Sequence, residues 1–297
     1  MEKLSSPKRT KEIVGKYGFR FSKSLGQNFL IDENIIYKII RGAEITKDDI
    51  VVEVGPGIGT LTQYLAEEAK QVLAIEIDKT LIPILEETLK DYDDIEVINS
   101  DVLALDLKEL IENRFGGSQI KVVANLPYYV TTPIIMKFLE EEIPVKDIVV
   151  MVQKEVADRL KAKPSTKDYG SLSVAVQYYC EPEIVTRVPR SVFIPNPNVE
   201  STVIRLKVLD NPQVNVADKK IFFNVVRASF AKRRKTLLNS LSFSDLGLNK
   251  EEIKQALEIS DIDPKRRGES LTIEEFATLS NNINDILKIN NIKTESL

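Results

Sequence analysis

The first two-thirds of the chain alternate short runs of β-branched apolar residues with stretches whose apolar positions recur at helical spacing. Strands that alternate with helices predict a parallel sheet with helices packed on both faces, so we predict a doubly wound α/β domain. The predicted strands span residues 50–54, 72–77, 95–98, 121–124 and 148–152, and examples of the predicted helices span 60–68, 80–90 and 133–140.

Proline residues indicate a helix start and a loop between two strands in this domain. Thr132 is placed as the N-cap of the helix at 133–140, and Pro133 then occupies the first helical position, which tolerates the missing N–H. Residues 183–188 and 202–208 have the pattern of antiparallel strands, joined by a proline-rich loop from Pro189 to Pro197. Such strands are expected at the edge of the sheet.

The pattern changes after the segment Asp210-Asn211-Pro212. Residues 219–227, 235–241, 250–258 and 273–287 have helical periodicity and few strand signals. We therefore predict two domains, an α/β domain over residues 1–209 and a small all-α domain over residues 210–297.

The composition excludes several kinds of catalytic and metal site. The 297 residues include no histidine and one cysteine, Cys180. The chain therefore has no Ser-His-Asp or Cys-His pair and no imidazole base, and we predict neither a metal site nor a disulfide. The first twenty residues are charged throughout and no apolar stretch approaches the ~18 residues of a membrane span. We expect a cytoplasmic protein with no signal peptide and no membrane contact.

The formal charge of −4 hides an uneven distribution of charge. Residues 42–112 contain 18 acidic and 5 basic residues, whereas residues 1–41 contain 9 basic and 4 acidic residues. A second basic block lies between Phe222 and Ser240 and contains no acid. This asymmetry is typical of a protein with a basic face and an acidic back.

A glycine-rich turn, with Gly55, Gly57 and Gly59, follows the predicted strand at 50–54. Glycines let the backbone approach a ligand closely and adopt positive φ angles. The spacing is G-x-G-x-G, whereas the dinucleotide fingerprint G-x-G-x-x-G places its third glycine one position later. The spacing favours an adenosyl ligand without phosphates over NAD, and an ordinary strand-to-helix turn is the alternative that this motif leaves open.

Acidic residues follow the next two predicted strands. Glu76 lies about 20 residues beyond the glycines, where a carboxylate can accept hydrogen bonds from both ribose hydroxyls. Asp101 follows the third strand and could accept a hydrogen bond from an adenine amine. Either residue alone could be an ordinary acid at a strand end, but together they occupy the successive strand ends where a nucleoside would lie.

The segment Asn125-Leu126-Pro127-Tyr128 follows the fourth predicted strand. The adenine amine is a poor nucleophile because its lone pair is delocalised into the ring. An asparagine oxygen and a backbone carbonyl locked by proline can accept its two N–H bonds, and Tyr128 can stack on an extruded base. In isolation the segment could equally be a capping turn.

Together these residues resemble the ribosomal RNA adenine dimethyltransferases, which use S-adenosylmethionine to put two methyl groups on one adenine amine. The resemblance runs from about Lys16 to Leu279. It implies a Rossmann-like class I methyltransferase sheet followed by a helical RNA-binding domain. The cofactor residues that it implies are Gln27, Asn28, Leu30, Gly55, Gly57, Gly59, Glu76, Asp101 and Asn125.

The same resemblance implies a target-adenine site. The family's N-L-P-Y motif matches Asn125, Leu126, Pro127 and Tyr128. Phe193 begins the match to the family's F-x-P-x-P-x-V-x-S loop, which continues through Pro195, Pro197, Val199 and Ser201. Phe193 would then be the second aromatic ring around the flipped base.

A further match selects a branch of the family. Residues 233–237 read R-R-K-T-L, the signature of the small-subunit enzymes. This branch implies that the substrate is 16S rRNA in an immature 30S subunit, with two adjacent target adenines in a hairpin loop near the 3′ end. Two alternatives stay open: a 23S rRNA methylase that confers macrolide resistance, and a ribosome-assembly factor for which methylation is a release step. We expect a monomer.

The basic block is predicted to bind RNA. Consecutive cations on a helix would point to every side of it, which argues against the alternative of a solvated outer stripe. The basic N-terminal segment is predicted to join this face or to fold over the cofactor. The predicted contacts are Arg227, Lys232, Arg233, Arg234 and Lys235, and the N-terminal cations are Lys8, Arg9, Lys11, Lys16, Arg20 and Lys23.

Overall fold

The computed structural model describes residues 3–22, 25–141 and 143–295, with side chains described through residue 290. The chain forms two compact units. The first, the sheet unit, comprises residues 1–157 and 181–208, and the second, the helical unit, comprises residues 158–180 and 209–297.

The elements alternate through the sheet unit and become helical thereafter. The helices are α1 (Pro7–Lys16), α2 (Glu33–Gly42), α3 (Thr60–Glu68), α4 (Ile82–Thr88), α5 (Leu107–Phe115), α6 (Thr131–Glu140), α7 (Lys154–Leu160), α8 (Ser171–Tyr179), α9 (Lys219–Phe230), α10 (Leu237–Ser242), α11 (Lys250–Ile259) and α12 (Ile273–Glu295). The strands are β1 (Phe29–Leu30), β2 (Ile50–Val54), β3 (Gln71–Glu76), β4 (Ile95–Asn99), β5 (Ile120–Asn125), β6 (Val145–Gln153), β7 (Cys180–Val188), β8 (Phe193–Ile194) and β9 (Ser201–Val208).

The main sheet has seven strands in the order β4-β3-β2-β5-β6-β9-β7. Strands β2 to β6 are parallel to one another, and β9 runs antiparallel to β6. The predicted α/β fold is confirmed, including the antiparallel strands at one edge. The strand order reverses direction between β2 and β5, and ligands of open α/β sheets bind outside the carboxyl ends of the strands at this point.

Helix α6 begins two residues earlier than the sequence predicts. Its N-cap is Val130, so the predicted cap at Thr132 is wrong. The reason lies in the preceding turn, where the Pro127 carbonyl accepts hydrogen bonds from Val130 N at 3.2 Å and from Thr131 Oγ1 at 3.1 Å. These bonds continue directly into the helix and tie its first turn to the end of β5.

A second, two-stranded sheet joins distant parts of the sheet unit. Strand β1 pairs antiparallel with β8, placing Phe29 opposite Ile194 and Leu30 opposite Phe193. The pairing is extended by Ile31 N, which donates to the Val192 carbonyl at 2.8 Å. It places the segment that precedes α2 beside the proline-rich loop.

The helical unit includes residues 158–180. The domain boundary predicted at residue 209 assigns these residues to the α/β domain instead. Residues 158–180 pack with α9 to α12, and Tyr169, Val174 and Tyr178 share one buried cluster with residues of these helices, including Phe222. The Tyr169 hydroxyl donates to the Leu271 carbonyl at 2.9 Å. An aromatic, apolar segment of this kind is buried wherever a second apolar surface is available, whatever its position in the sequence.

None of the described helices is long and apolar enough to cross a lipid bilayer.

We predict that Tyr169→Phe weakens the helical unit selectively. The substitution keeps the buried ring but leaves the Leu271 carbonyl without its donor, a loss of about 1–2 kcal/mol. Amide hydrogen exchange should report this loss in α9 and α12 and no change in β2. Tyr129→Phe, on an exposed side chain, is the control and should change the opening free energy by less than about 0.5 kcal/mol. Equal effects of the two substitutions would contradict the prediction.

Candidate active site

A cavity of about 250 Å³ lies within the sheet unit, at the carboxyl ends of the central parallel strands. This is the location that the reversal of strand order predicts for a ligand. Most residues that the sequence assigns to a cofactor or to a target base line it. They are Gln27, Asn28, Leu30, Gly55, Gly57, Glu76, Asp101, Asn125, Leu126, Pro127 and Tyr128.

The glycine turn forms the floor of this cavity between β2 and α3. Gly55 and Gly57 have φ angles of 70° and 62°, which side chains rarely allow. A Cβ atom on Gly57 would also lie 3.0 Å from the Phe29 ring. Gly59 does not line the cavity: it is the left-handed N-cap of α3, and a Cβ there would lie 3.0 Å from Leu89.

Glu76 lies at the end of β3 and is almost fully buried. Its Oε2 accepts a hydrogen bond from Gly57 N at 3.2 Å, and its Oε1 accepts one from Asp78 N at 2.8 Å. Burial raises the pKa of Glu76 to about 7, although these backbone hydrogen bonds act to lower it. A carboxyl group held in this way beside the glycine turn can accept hydrogen bonds from ribose hydroxyls.

Asp101 lies beyond the end of β4 and is exposed at the side of the cavity. Its Oδ1 accepts a hydrogen bond from Leu103 N at 2.9 Å, which fixes the carboxylate within a tight turn. The strand ends are held in register by the hydrogen bond from Ser100 N to the Glu76 carbonyl at 2.9 Å. The two predicted acids therefore lie on adjacent strand ends, as the sequence predicts.

Glu53 also lines the cavity, and the sequence reasoning did not select it. It lies within the fully buried strand β2, and its side chain is 1% exposed. Among the residues that the structure describes, Glu53 Oε2 has no hydrogen-bond partner. Burial raises its pKa to about 8. An acid inside an otherwise apolar strand is the sequence signal that could have identified it, because unpaired buried carboxylates are costly.

Asn125, at the end of β5, is held by the N-terminal segment. Its Nδ2 donates to the Asn28 carbonyl at 3.0 Å. Asn28 in turn donates through its own Nδ2 to the Gly26 carbonyl at 2.9 Å. This bond uses one of the two N–H donors of Asn125 and fixes the rotation of the amide, so that Oδ1 has a defined direction as a hydrogen-bond acceptor.

Gln27 fixes the same segment from the other side. Its Nε2 donates to Asp78 Oδ2 at 2.7 Å, and its Oε1 accepts a hydrogen bond from Ser22 N at 2.8 Å. Partial burial acts to raise the pKa of Asp78, but hydrogen bonds from Thr80 and Gln27 lower it overall. Residues 25–30 consequently form a tethered wall of the cavity.

The aromatic residues around the cavity differ from the predicted pair. Tyr128 lines it, and its hydroxyl forms a 2.8 Å hydrogen bond with Ser201 Oγ, the serine of the F-x-P-x-P-x-V-x-S loop. Phe193 is only 1% exposed and packs in the core of the sheet unit, because β8 pairs with β1. Tyr129 lines the cavity and is 60% exposed, and the sequence reasoning did not select it.

The N-terminal cations are partly engaged within the sheet unit. Lys16 forms an ion pair with Glu87 at 2.6 Å, and Arg9 pairs with Glu12 at 3.4 Å. Lys23 lies outside the described residues. Much of the positive charge in this segment is therefore balanced locally.

The cations at residues 232–235 lie in a turn between α9 and α10, so the prediction that they lie on a helix is wrong. The turn is closed by Lys235 N, which donates to the Lys232 carbonyl at 2.8 Å. Arg233 is exposed but is held by other residues of the helical unit: its Nη2 donates to the Lys167 carbonyl at 2.6 Å, and its Nε pairs with Glu269 at 3.4 Å.

A second basic segment of the helical unit lies beside this turn. Leu237 N donates to the Arg266 carbonyl at 2.7 Å, which places the 263–267 loop at the start of α10. Lys265 and Arg267 of this loop are exposed. The sequence reasoning did not select them, because only the tertiary fold brings their loop to the start of α10.

The strand order, the glycine turn and the acids at successive strand ends define a class I methyltransferase fold. The chain belongs to the ribosomal RNA adenine dimethylase family, whose sequence model matches residues 18–285. The family that the sequence motifs indicate is confirmed.

Close relatives match nearly the whole chain. The ribosomal RNA small subunit methyltransferase A of Alkaliphilus oremlandii is 63% identical over 283 residues, which cover 95% of this chain and 99% of the relative. The protein of the same name from Clostridioides difficile is 62% identical over 285 residues, which cover 96% and 98% of the two chains.

Solved structures of two related enzymes share the fold. A dimethyladenosine transferase from Plasmodium falciparum is 26% identical with a TM-score of 0.70, over 89% of this chain and 98% of that one. The 23S rRNA methyltransferase ErmE is 28% identical with a TM-score of 0.65, over 86% of this chain and 99% of that one.

We predict that Glu53→Gln makes the cofactor-free protein less sensitive to pH. The pKa of Glu53 rises from 4.5 in the unfolded chain to about 8 in the folded protein, so the wild type loses stability as pH rises through this range. Glutamine does not titrate. For each pH unit, the free energy of unfolding of the variant should therefore fall by about 1.4 kcal/mol less than that of the wild type. Urea unfolding at several pH values between about 5 and 8 measures the difference.

The matched control for this prediction is Glu68→Gln, which changes an exposed glutamate of α3. Its stability should follow the wild-type curve at every pH. Part of the pH dependence should persist in Glu53→Gln, because the raised pKa of Glu76 acts in the same direction up to about pH 7. Parallel curves for Glu53→Gln and the wild type would contradict the prediction.

Proposed function

We propose that this chain dimethylates the exocyclic amines of two adjacent adenines in the hairpin loop near the 3′ end of 16S rRNA. The observation that carries the proposal is the Asn125 amide, fixed by Asn28 at a cavity that can hold an adenosyl group. The near full-length relatives named as small-subunit methyltransferases support the choice of RNA.

The methyl donor is S-adenosylmethionine, which supplies a reactive methyl group and its own leaving group. The cavity fits this cofactor in three respects. Glu76 is placed at the glycine turn to accept ribose hydroxyls, and Asp101 borders the same cavity to accept the adenine amine. Oε2 of Glu53, which has no hydrogen-bond partner among the described residues, provides a buried acceptor for the positively charged methionine amine.

The protein's own contribution to transfer is to position a weak nucleophile. Asn125 Oδ1 and the Leu126 carbonyl accept the two N–H bonds of the target amine, which orients its lone pair toward the methyl group. Pro127 and the first turn of α6 fix the backbone that carries this carbonyl. This arrangement needs no titrating base to begin transfer.

The target base needs a second contact besides the amine. The Tyr128 ring, held by Ser201, is the stacking surface at the cavity, and Tyr129 is the exposed aromatic beside it. Stacking of a base on an aromatic ring contributes about 1–3 kcal/mol. We assign the outer stacking position to Tyr129 because Phe193 is enclosed in the core.

The helical unit supplies the phosphate contacts in this proposal. Arg227, Lys232, Arg234 and Lys235 are exposed on it and are available to phosphates, whereas Arg233 orders the turn. Electrostatic binding of this kind is sequence-independent and weakens with salt. The binding partner is an immature 30S subunit, and the enzyme acts as a monomer in the cytoplasm.

Mass spectrometry of ribosomal RNA tests the proposed substrate. Unmethylated 30S subunits and 50S subunits are incubated separately with the enzyme and S-adenosylmethionine that carries a deuterated methyl group. We expect two labelled dimethyladenosines in the 3′ fragment of 16S rRNA and none in 23S rRNA. Label confined to 23S rRNA would identify a 23S methylase instead, and binding to 30S subunits without label would identify an assembly factor.

Two variants separate the roles of the amine site and the cofactor site. Asn125→Ala should lower methyl transfer by at least about 100-fold, because it removes an acceptor aimed at the reacting amine. Its affinity for S-adenosylmethionine, measured by calorimetry, should stay within about threefold of the wild type. Asp101→Ala should weaken cofactor binding first and recover transfer at saturating cofactor. Parallel loss of binding and transfer in Asn125→Ala would contradict this assignment.

A further inference from the structure

We propose that Phe243 stacks on an unpaired RNA base when the helical unit binds its substrate. This inference rests on the proposed RNA-binding role of the helical unit and adds a base contact to its phosphate contacts. It concerns a residue outside the cavity of the sheet unit.

The first observation is the exposure of the Phe243 ring. Phe243 is the C-cap of α10 and its side chain is 77% exposed, whereas Phe222 and Phe276 of the same unit are buried in its core. Single exposed apolar residues are common on protein surfaces. Exposure alone therefore does not identify a contact.

The second observation is the position of Lys232. Its Nζ lies over the Phe243 ring, 4.9 Å from the ring centroid. A cation within about 6 Å of an aromatic face is attracted by the ring. The contact places one of the proposed phosphate-binding cations directly beside the only described phenylalanine ring that is exposed in this way.

The surroundings of the ring favour RNA as its partner. Arg234 and Lys235 are exposed in the same turn as Lys232. The nearest acid in the sequence is Asp245, which follows Phe243 by two residues. An apolar protein surface that covered Phe243 would remove water from these cations without neutralising them. Unpaired RNA offers a base to the ring and phosphates to the cations, the combination that single-strand binding sites use.

The direct test is the affinity of full-length Phe243→Ala for unmethylated 30S subunits. We expect Kd to rise about 5- to 150-fold, the equivalent of the 1–3 kcal/mol of a stacked base. The slope of log Kd against log salt should not change, because no charge is removed. Lys235→Ala should instead reduce that slope by about 0.7–0.9.

Ile259→Ala is the matched control, since Ile259 is an apolar residue of the helical unit with 58% of its side chain exposed. Its Kd should stay within about twofold of the wild type. If Phe243→Ala also stays within twofold while Lys235→Ala weakens binding, the stacking inference is wrong and the phosphate contacts stand. If neither Phe243→Ala nor Lys235→Ala weakens binding, the proposed RNA surface fails as well.

A tryptophan variant distinguishes RNA from protein as the partner. The chain contains no tryptophan, so Phe243→Trp introduces a single indole fluorophore while keeping an aromatic ring. We expect this variant to bind 30S subunits as the wild type does, and its indole emission to be quenched by stacking on a base when it binds. Binding to 30S subunits without quenching of the indole would place the ring against protein and overturn the inference.

Discussion

The active-site geometry depends on the hydrogen bond from Asn125 Nδ2 to the Asn28 carbonyl. A fixed hydrogen bond from one N–H sets the rotation of the amide, so the acceptor for the target amine is oriented before the substrate arrives. The position of Asn28 depends in turn on the contact of Gln27 with Asp78 and on the pairing of β1 with β8. The N-terminal segment thus couples the cofactor side of the cavity to the base side.

The two buried acids of the cavity are costly to ionise. Burial raises the pKa of Glu53 to about 8 and that of Glu76 to about 7, so ionisation of either carboxyl group costs stability. A cofactor with a cationic methionine amine and two ribose hydroxyls supplies partners to these groups. Cofactor binding should therefore stabilise the fold as well as supply the methyl group.

The sequence predicts the site best where local pattern and chemistry coincide. The glycine turn, Glu76 and Asn125 each follow a predicted strand, and the parallel sheet brings their strand ends together. Strands β1 and β8 have two residues each, too few for any periodicity, so the burial of Phe193 between them could not be predicted. The same limit applies to Tyr169, whose partner Leu271 is distant in the sequence and is defined only by packing.

A chain without histidine that positions an amine by hydrogen bonds should need no general base in methyl transfer. The pH dependence of single-turnover transfer at saturating S-adenosylmethionine tests this most directly, because saturation removes the effect of Glu76 on cofactor binding. The account predicts a rate that varies by less than about twofold between pH 6.5 and 9. A rate that rises about tenfold per pH unit through an inflection near neutrality would contradict it.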